Sequence, residues 1–548
     1  MIAQSPFPLP PLSRFTPTGT ARRVAPKHLG LESAFDAGFA GLTNPQDHPL
    51  HFPCDPDPLE NPRLAAVSPS ASTRLGLKAE DLLDSPYWAD ILAGSAVLEG
   101  ADSYATAYSG HQFGVFVPRL GDGRALNLGA LRGWELQLKG AGMTPYARHA
   151  DGRAVIRSSI REFLCSEHIA ALGIPTTRAL SLVISDTPVM REQIERAAVV
   201  CRLAPSFLRF GHFEYFATQG QIQTLQQLID HFLLIEPTLL PYRRADWPVK
   251  AEAMALHVAR STAELMAEWS AVGFMHGVMN TDNFSALGLT IDYGPFGFME
   301  KFESGHICNH SDHAGRYAFD QQPTVGLWNV QRLLIALVHA IDSDADGLKR
   351  QLGDINEKVI DAYKAAFSER FELRFSQKLG IASIRESRSN DVRHLLSELF
   401  EVLETQGCDF TRFFRATASI TVNNNGSHQP LGAPLQSPGW QRLLKQFSKP
   451  EDSQAWLESY QALIGEEIAS MGSVAVWQAQ QRERNPSIVL RNWIAEEVIR
   501  ALEDQGDADP LHLALRLLTA PFDDHPEAGH WRDGAPEWAG ALCVSCSS

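Results

Sequence analysis

The residues best equipped for chemistry cluster in Phe274-Met-His-Gly-Val-Met-Asn-Thr-Asp-Asn-Phe284 and in Ile291-Asp-Tyr-Gly294, where Asp282, Asn283 and Asp292 offer oxygen ligands close together in the chain. Magnesium binds hard oxygens and keeps several waters, so one or two carboxylates plus phosphate oxygens complete its shell. One Asp and one Asn would suffice. Leu287, Leu289 and Ile291 alternate with small or polar neighbours, which predicts a tight hairpin and a short strand that ends at Asp292 and aims its carboxylate at a cleft. Taken alone, Asn280, Asp282 and Asn283 serve equally well as loop residues whose side chains bond the local backbone.

Comparison with phosphotransferase catalytic loops sharpens the reading. There a His-x-Asp or His-Gly-Asp is followed by an Asn and then by an Asp-Phe-Gly metal site. His276-Gly277 and Asn283 fall at the spacing of small-molecule kinases, and Asp292-Tyr-Gly294 stands in for Asp-Phe-Gly. Val278 occupies the position of the Asp that accepts the substrate proton. A valine can neither take a proton nor orient a hydroxyl, so the metal site is kept and the usual base is lost.

These residues need a frame. The chain has 548 residues, 44% of them hydrophobic, which is ample for a large buried core and for several domains. No run reaches the about 18 consecutive apolar residues that cross a bilayer; Leu333-Leu-Ile-Ala-Leu-Val-His-Ala-Ile341 is too short and continues into Asp342. No membrane partner is expected. A net charge of −16 argues against an electrostatic grip on nucleic acid, which needs a basic footprint, but it leaves room for a local basic pocket for a nucleotide. Cys54, Cys165, Cys201, Cys308 and Cys408 are isolated, which points to a reducing compartment: the cytoplasm in a bacterial source, the mitochondrion in a eukaryotic one. Residues 1–31 carry Arg14, Arg22, Arg23 and Lys27 and no acid, as a transit peptide would. Pro6, Pro8, Pro10 and Pro11 would break the helix such a peptide needs, so an extended N-terminal arm is predicted.

Further along, Arg74 to Leu83 predicts a short helix. Phe113 to Val117 and Ala125 to Leu128 predict two strands joined at Gly121-Asp-Gly-Arg124, a hairpin whose glycines admit a ligand and whose arginine can meet phosphate. Asp-Gly is equally a plain turn. No Gly-x-x-x-x-Gly-Lys-Ser/Thr occurs, which excludes a P-loop. Trp134 to Lys139 has the period of a strand, with Lys139 placed like the phosphate-binding lysine of a kinase third strand. A helix from Ser158 to Leu172, stopped by Gly173 and Pro175, supplies Glu162 as its partner. Ser159-x-x-Glu162 also reads as a capping box, and the two roles stay open. Arg178 to Ile184 and Ala197 to Leu203 predict further strands, followed by Arg202 and Arg209, two candidates for clamping phosphate. A long helix from Ala251 to Ser270 then delivers the chain to the metal loop. Strands followed by helices, with the metal loop at the junction, is the order of an α+β, protein-kinase-like two-lobed fold.

The runs Lys139 to Phe163 (KGAGMTPYARHADGRAVIRSSIREF), Tyr108-Ser-Gly-His-Gln-Phe-Gly114 and His276-Gly-Val-Met-Asn-Thr-Asp-Asn283 resemble the selenoprotein O (SelO) family. Its members are kinase-fold protein adenylyltransferases that move AMP from ATP onto Ser, Thr or Tyr hydroxyls. The resemblance implies that Gly121, Gly123, Arg124 and Lys139 bind ATP with Glu162 pairing Lys139. It implies that Asp151, Gly152, Arg202 and Arg209 complete a site in which ATP lies flipped relative to a kinase. Asn283 and Asp292 would hold magnesium, with manganese as the alternative, Asp292 also belonging to the ATP site. Asp282 would accept the proton. The partners implied are protein substrates, self-modification included. The expected division is an N-terminal arm and extension (1–100), a strand-rich nucleotide-binding N-lobe (101–215), a C-lobe with the catalytic and metal loop (216–350) and a helical C-terminal extension (351–548).

The tail Cys543-Val-Ser-Cys546 fits a cysteine-containing member of the family, since many relatives carry selenocysteine near the C-terminus. As chemistry, this Cys-x-x-Cys predicts a redox pair, and a disulfide from Cys308 to Cys546 would couple activity to thiol status. Pro486 to Leu502 predicts a helix. Two rivals remain: a conventional phosphotransferase, which should carry an acid at position 278, and an ATP-binding pseudokinase, which should have lost its metal ligands.

Overall fold

A computed structural model describes residues 22–25, 42, 50–99, 101–341, 345–421 and 437–544. Alternating and continuous apolar runs in the first half fold into one antiparallel sheet, whereas the second half is helical, giving the expected α+β, kinase-like two-lobed architecture. The sheet order is His51–Pro53, Tyr104–Thr106, Ala125–Leu131, Trp134–Lys139, Ile194–Ala204, Arg178–Met190, Arg63–Val67, with Ala154–Val155 pairing Ile194–Ala204 off that path. Of the N-terminal arm, Arg22–Val24 is described and pairs in parallel with Ala96–Leu98.

Register decides what the sheet presents. Gln137 lies opposite Arg202, and Lys139 opposite Val200. Facing residues and residues two apart share a face, so Gln137, Lys139 and Arg202 leave the sheet together while Leu136 and Leu138 are buried on the other side. Against the polar face lies the helix Ile156–Ala171. It starts two residues earlier than its sequence predicts, which puts Ser159 inside the helix and rules out the capping box; Glu162 is free to meet Lys139 at 2.6 Å.

Other expectations need correction. The stretch from Arg74 to Leu83 is not one helix: the helix Pro69–Arg74 ends where that stretch begins, Gly76 turns the chain at φ +67°, and a second helix follows only at Ala79–Leu83. Val115–Val117 pairs with Gly110–Gln112 and not with Ala125–Leu131; Gly121-Asp-Gly-Arg124 is therefore a loop and not the turn of a hairpin. Its Asp122 is buried and accepts from Thr106 N at 2.9 Å, so the carboxylate staples the loop to the sheet. Leu287 to Ile291 is no strand: a turn replaces it, with isolated bridges from Ser285 to Arg209 and Thr290 to Thr176. Those two bridges tie the loop before Asp292 to the N-lobe. The helix predicted from Pro486 begins at Asn492 and ends at Gln505.

The helix Trp247–Val272 runs into the catalytic segment, ending at Gly273 in the left-handed region at φ 68°. Behind the lobes, Asn492–Gln505 and Asp509–Leu518 pack on Ile156–Ala171, and His168 Nδ1 meets Leu518 O at 2.9 Å. No helix of the described residues is long and apolar enough to cross a membrane.

One packing detail sets stability. Lys378, in the helix Ala345–Leu379, is buried with its ammonium 4.3 Å from the centre of the Phe414 ring, and no carboxylate pairs with it among the described residues. Burial pushes its pKa down to about 7, with Arg374 adding to the shift. Between pH 7 and the ordinary lysine value the unfolded chain holds a proton that the folded chain releases, so stability should rise with pH across that window. Lys378→Met should add on the order of 1 kcal/mol at neutral pH and flatten that rise. Thermal melts of both proteins from pH 6 to 10 check this, and equal slopes would reject it.

Candidate active site

A cavity of ≈ 520 Å³ opens between the lobes, and Gly121, Gly123, Arg124, Lys139, Arg202, Arg209, Val278, Asp282, Asn283 and Asp292 all line it. The residues singled out from sequence for nucleotide, metal and proton thus converge, with three exceptions: Glu162, which reaches the cavity only through its pairing with Lys139, and Asp151 and Gly152. Asp151 and Gly152 are not on this wall: Asp151 pairs with Arg191 at 2.7 Å and accepts from Arg153 N at 2.9 Å. Gly152 has φ +69°, and any Cβ there would overlap the Gly142 carbonyl. Both shape the turn beside Ala147, Arg148 and Ala150, which do line the cavity.

At the floor is a buried charge cluster. Lys139 Nζ contacts Glu162 Oε2 at 2.6 Å and Asp292 Oδ1 at 3.6 Å. Arg202 pairs with Glu162, reaches Asp292 Oδ1 at 2.5 Å and donates to Gln137 Oε1 at 3.2 Å. Arg209 pairs with the other oxygen of Asp292 and donates to Asp282 O at 2.8 Å. Burial alone would raise the Asp292 pKa, but Arg209, Arg202 and Lys139 together hold it well below the usual range. Burial, with Arg202 beside it, lowers Lys139 to about 8, which leaves it cationic at pH 7. Asp292 adopts the left-handed region at φ 63°, a conformation Asp tolerates better than most residues. Arg202 and Arg209 are not solvated surface arginines: both are buried and paired, and both reach the cavity.

Above this floor stands Asp282, in the short 3₁₀ turn Thr281–Asn283. Burial pushes its pKa up to about 7, and its Oδ1 is buried with no hydrogen-bond partner. Gln112 Nε2 approaches Oδ2 at 3.4 Å. The loop holding Asp282 is fixed from several sides. His276 is neutral through burial; its Nε2 donates to Ile291 O at 2.7 Å and its ring stacks on Trp269. Asn280 Oδ1 accepts from Phe113 N at 3.1 Å and Tyr317 OH at 2.8 Å.

Sequence reasoning missed the strongest support. Glu214, on the helix Phe210–Thr218, accepts from Thr281 Oγ1 at 2.6 Å and contacts His111 Nδ1 at 2.6 Å; Thr281 Oγ1 in turn accepts from His111 N at 2.7 Å. Nothing in the local pattern of Phe-Gly-His-Phe-Glu214 marks it, because its partners lie 67 and 103 residues away. Gly110 had a legible neighbourhood but an unread role: a Cβ there would overlap the Asp282 carboxylate.

Among the described residues no group of three or more His, Cys, Asp or Glu is arranged to hold a metal ion. The donors at hand are Asp292 and the amide oxygen of Asn283, whose Nδ2 is committed to Val278 O at 3.0 Å. Two hard oxygens on one wall, with an orphaned carboxylate oxygen of Asp282 nearby, fit a small divalent cation only where phosphate oxygens complete the shell.

A family model described as protein adenylyltransferase SelO matches residues 50–519. The protein nucleotidyltransferase YdiU of Dechloromonas aromatica is 44% identical over 532 residues, covering 96% of this chain and all of that protein. The protein of the same name from Cupriavidus metallidurans is 44% identical over 504 residues, 90% of this chain and 88% of its own. That from Thiobacillus denitrificans is 42% identical, over 94% of this chain and 99% of its own.

The geometry makes Glu214 a positioning residue. Glu214→Ala should lower kcat by about 10²-fold, the scale of a misplaced reacting group, with KM for nucleotide nearly unchanged, and Glu214→Gln should recover part of the loss. A change confined to KM would contradict the assignment.

Proposed function

The chain belongs to the SelO family of protein adenylyltransferases, and from that premise we propose that it transfers AMP from ATP to Ser, Thr or Tyr hydroxyls of proteins, itself included. The observation that carries the reading is the pairing of an apolar Val278, where a kinase has its base, with a buried Asp282 whose Oδ1 is unpartnered and whose pKa is pushed up to about 7. A base of that strength matches the demands of deprotonating a hydroxyl near neutral pH.

In this mechanism the nucleotide lies end for end relative to a kinase. The acceptor oxygen attacks the α-phosphorus, its proton passes to the Asp282 carboxylate, and the bond between the α-phosphorus and the α–β bridging oxygen breaks to release pyrophosphate. Lys139, Arg202 and Arg209 would grip the outgoing phosphates, and Arg124 with the Gly121 and Gly123 backbone would cover them. Glu162 keeps Lys139 and Arg202 aligned. Asp151 and Gly152 would act through the turn they build. Asp292 and Asn283 would hold magnesium or manganese, which when bound neutralises charge developing on the phosphates. Within this reading, residues 101–215 form the nucleotide-binding lobe, 216–350 the catalytic lobe and 351–548 the helical extension. Cys54, Cys165, Cys201 and Cys408 are buried free thiols, which supports a reducing compartment, the cytoplasm if the source is bacterial.

Redox control belongs to the same proposal. Cys308 is buried and its thiol donates to Pro295 O at 3.0 Å. His310 N donates to Val544 O at 3.0 Å, which brings the tail beside the Cys308 segment. Cys543 is exposed, and Cys546 lies outside the described residues. Peptide mapping of the oxidised protein tests a link from Cys308 to Cys546; its absence removes the switch.

Label from α-phosphorus-labelled ATP should appear on protein, and none from γ-labelled ATP. Label from the γ position would make the chain a kinase, and label from neither, with tight ATP binding, would favour a pseudokinase. Asp282→Asn should cost about 10² to 10⁴-fold in rate while still binding ATP. The wild-type rate should climb with pH through about 7 as Asp282 ionises. Folded Asp282 keeps its proton to about 7, against 3.8 ordinarily, so its contribution to stability falls as pH rises between those values. Asp282→Asn should therefore melt higher than wild type above pH 7. Lys139→Met should impair nucleotide use more than folding, because Glu162 retains Arg202.

A further inference from the structure

Away from the active site, the helical extension contains an open groove of ≈ 830 Å³ lined by six cationic side chains and two acidic ones. The cations come from four separate elements. Arg412 and Arg415 lie on the helix Phe410–Thr417, whose phenylalanines face the core; Arg442 and Lys445 lie at the end of Pro438–Leu444; Arg482 is on Val474–Arg484 and Arg532 on Pro526–Arg532. This convergence runs against composition, since the whole chain carries −16.

The groove has a built floor and open walls. Arg415 is anchored by its Nη1 to the carbonyls of Arg482 and Asn485, both at 2.9 Å, and by its Nη2 to Asp524 at 2.8 Å. That hydrogen bond, with Arg532 and Arg482 close by, holds the Asp524 carboxyl below its usual range. Asp524 is thereby used up as a counter-charge. Arg412, Lys445, Arg482 and Arg532 make no side-chain hydrogen bond or ion pair among the described residues. Like charges held together without partners repel, and an oligoanion relieves that repulsion.

We propose that this groove docks an acidic peptide segment of the protein substrate, through carboxylates spaced to meet cations on different helices. The inference rests on the proposed protein-modifying activity for its biological sense but not for its detection. A groove spanning four elements exceeds what one phosphate group needs. Its support is also shared with the active-site segment: Phe410 N donates to Glu300 O, and Phe302 N to Cys408 O, both at 2.9 Å. The helix that carries Arg412 and Arg415 therefore hangs on the chain that follows Asp292.

Fluorescence anisotropy with the full-length protein at low salt tests the docking directly. A labelled hexaglutamate peptide should bind, a hexaglutamine peptide should not, and Arg412→Glu with Arg482→Glu should weaken hexaglutamate at least tenfold; Arg412→Gln with Arg482→Gln, the milder pair, should weaken it less. Unchanged affinity in folded charge-reversed protein, or no binding by wild type, overturns the proposal. So does a groove-dependent affinity for tripolyphosphate with none for the peptide, which would make it a free-phosphate site. In a labelling assay, the charge-reversed protein should show a tenfold higher KM for a substrate bearing an acidic tail and unchanged self-labelling. Because the anisotropy needs no turnover, failure of the catalytic reading would leave the peptide binding intact.

Discussion

Everything at the active site depends on the buried cluster of Lys139, Glu162, Arg202, Arg209 and Asp292. Its members come from two strands' ends, one helix and two loops, so the cluster forms only when both lobes are in place. Three cations meet two carboxylates, which leaves the floor of the cavity positive. Removing so many charges from water is costly unless each has good partners, and here Asp292 alone bridges both arginines and approaches the lysine. In the proposed reaction this surplus charge would meet the triphosphate of ATP. There the two arginines would divide their N–H donors between Asp292 and the phosphate oxygens.

The second dependence is on the helix Ile156–Ala171. In many kinases the equivalent helix swings to make or break the Lys–Glu pair. Here it is buried along most of its length. Glu167 pairs with Arg178 on the neighbouring strand, Arg161 lies over the Phe296 ring, and the helices Asn492–Gln505 and Asp509–Leu518 cover its back. The helical extension thus does structural work on the N-lobe: it holds Glu162 where Lys139 and Arg202 need it.

Sequence made part of this legible, for identifiable reasons. Lys139 and the strand that carries it were readable because a period of two survives burial on one face. Spacing singled out Asp292 and Asn283, and both line the cavity. What failed was local: Leu287 to Ile291 has an alternating pattern, yet the chain turns there because Thr290 is spent on a bridge to Thr176 and on a hydrogen bond to Trp269 Nε1. Gly121-Asp-Gly-Arg124 has the composition of a hairpin, yet Asp122 is drawn inward by Thr106. Both errors come from tertiary partners outranking a short-range signal. Glu214 was invisible for the complementary reason, since its role exists only once distant residues meet.

Asp282 shows how packing becomes chemistry. The loss of an acid at Val278 could mean a dead site, and metal-ligand residues alone would not say otherwise. The hairpin Gly110–Gln112 with Val115–Val117 settles over Asp282 so closely that position 110 has no space for a Cβ. Gly110 is not in the left-handed region, as Gly114 beside it is, so the demand for glycine there is one of approach and not of backbone conformation. That approach seals Oδ1 from water, and burial of the residue lifts its pKa to about 7. A solvated aspartate in the same loop would be too weak a base for a hydroxyl. The strand motif and the acid therefore form one device: the first buries the second, and Glu214 and Thr281 hold both in register; in the proposed mechanism the proton acceptor that a kinase keeps at position 278 would stand four residues later.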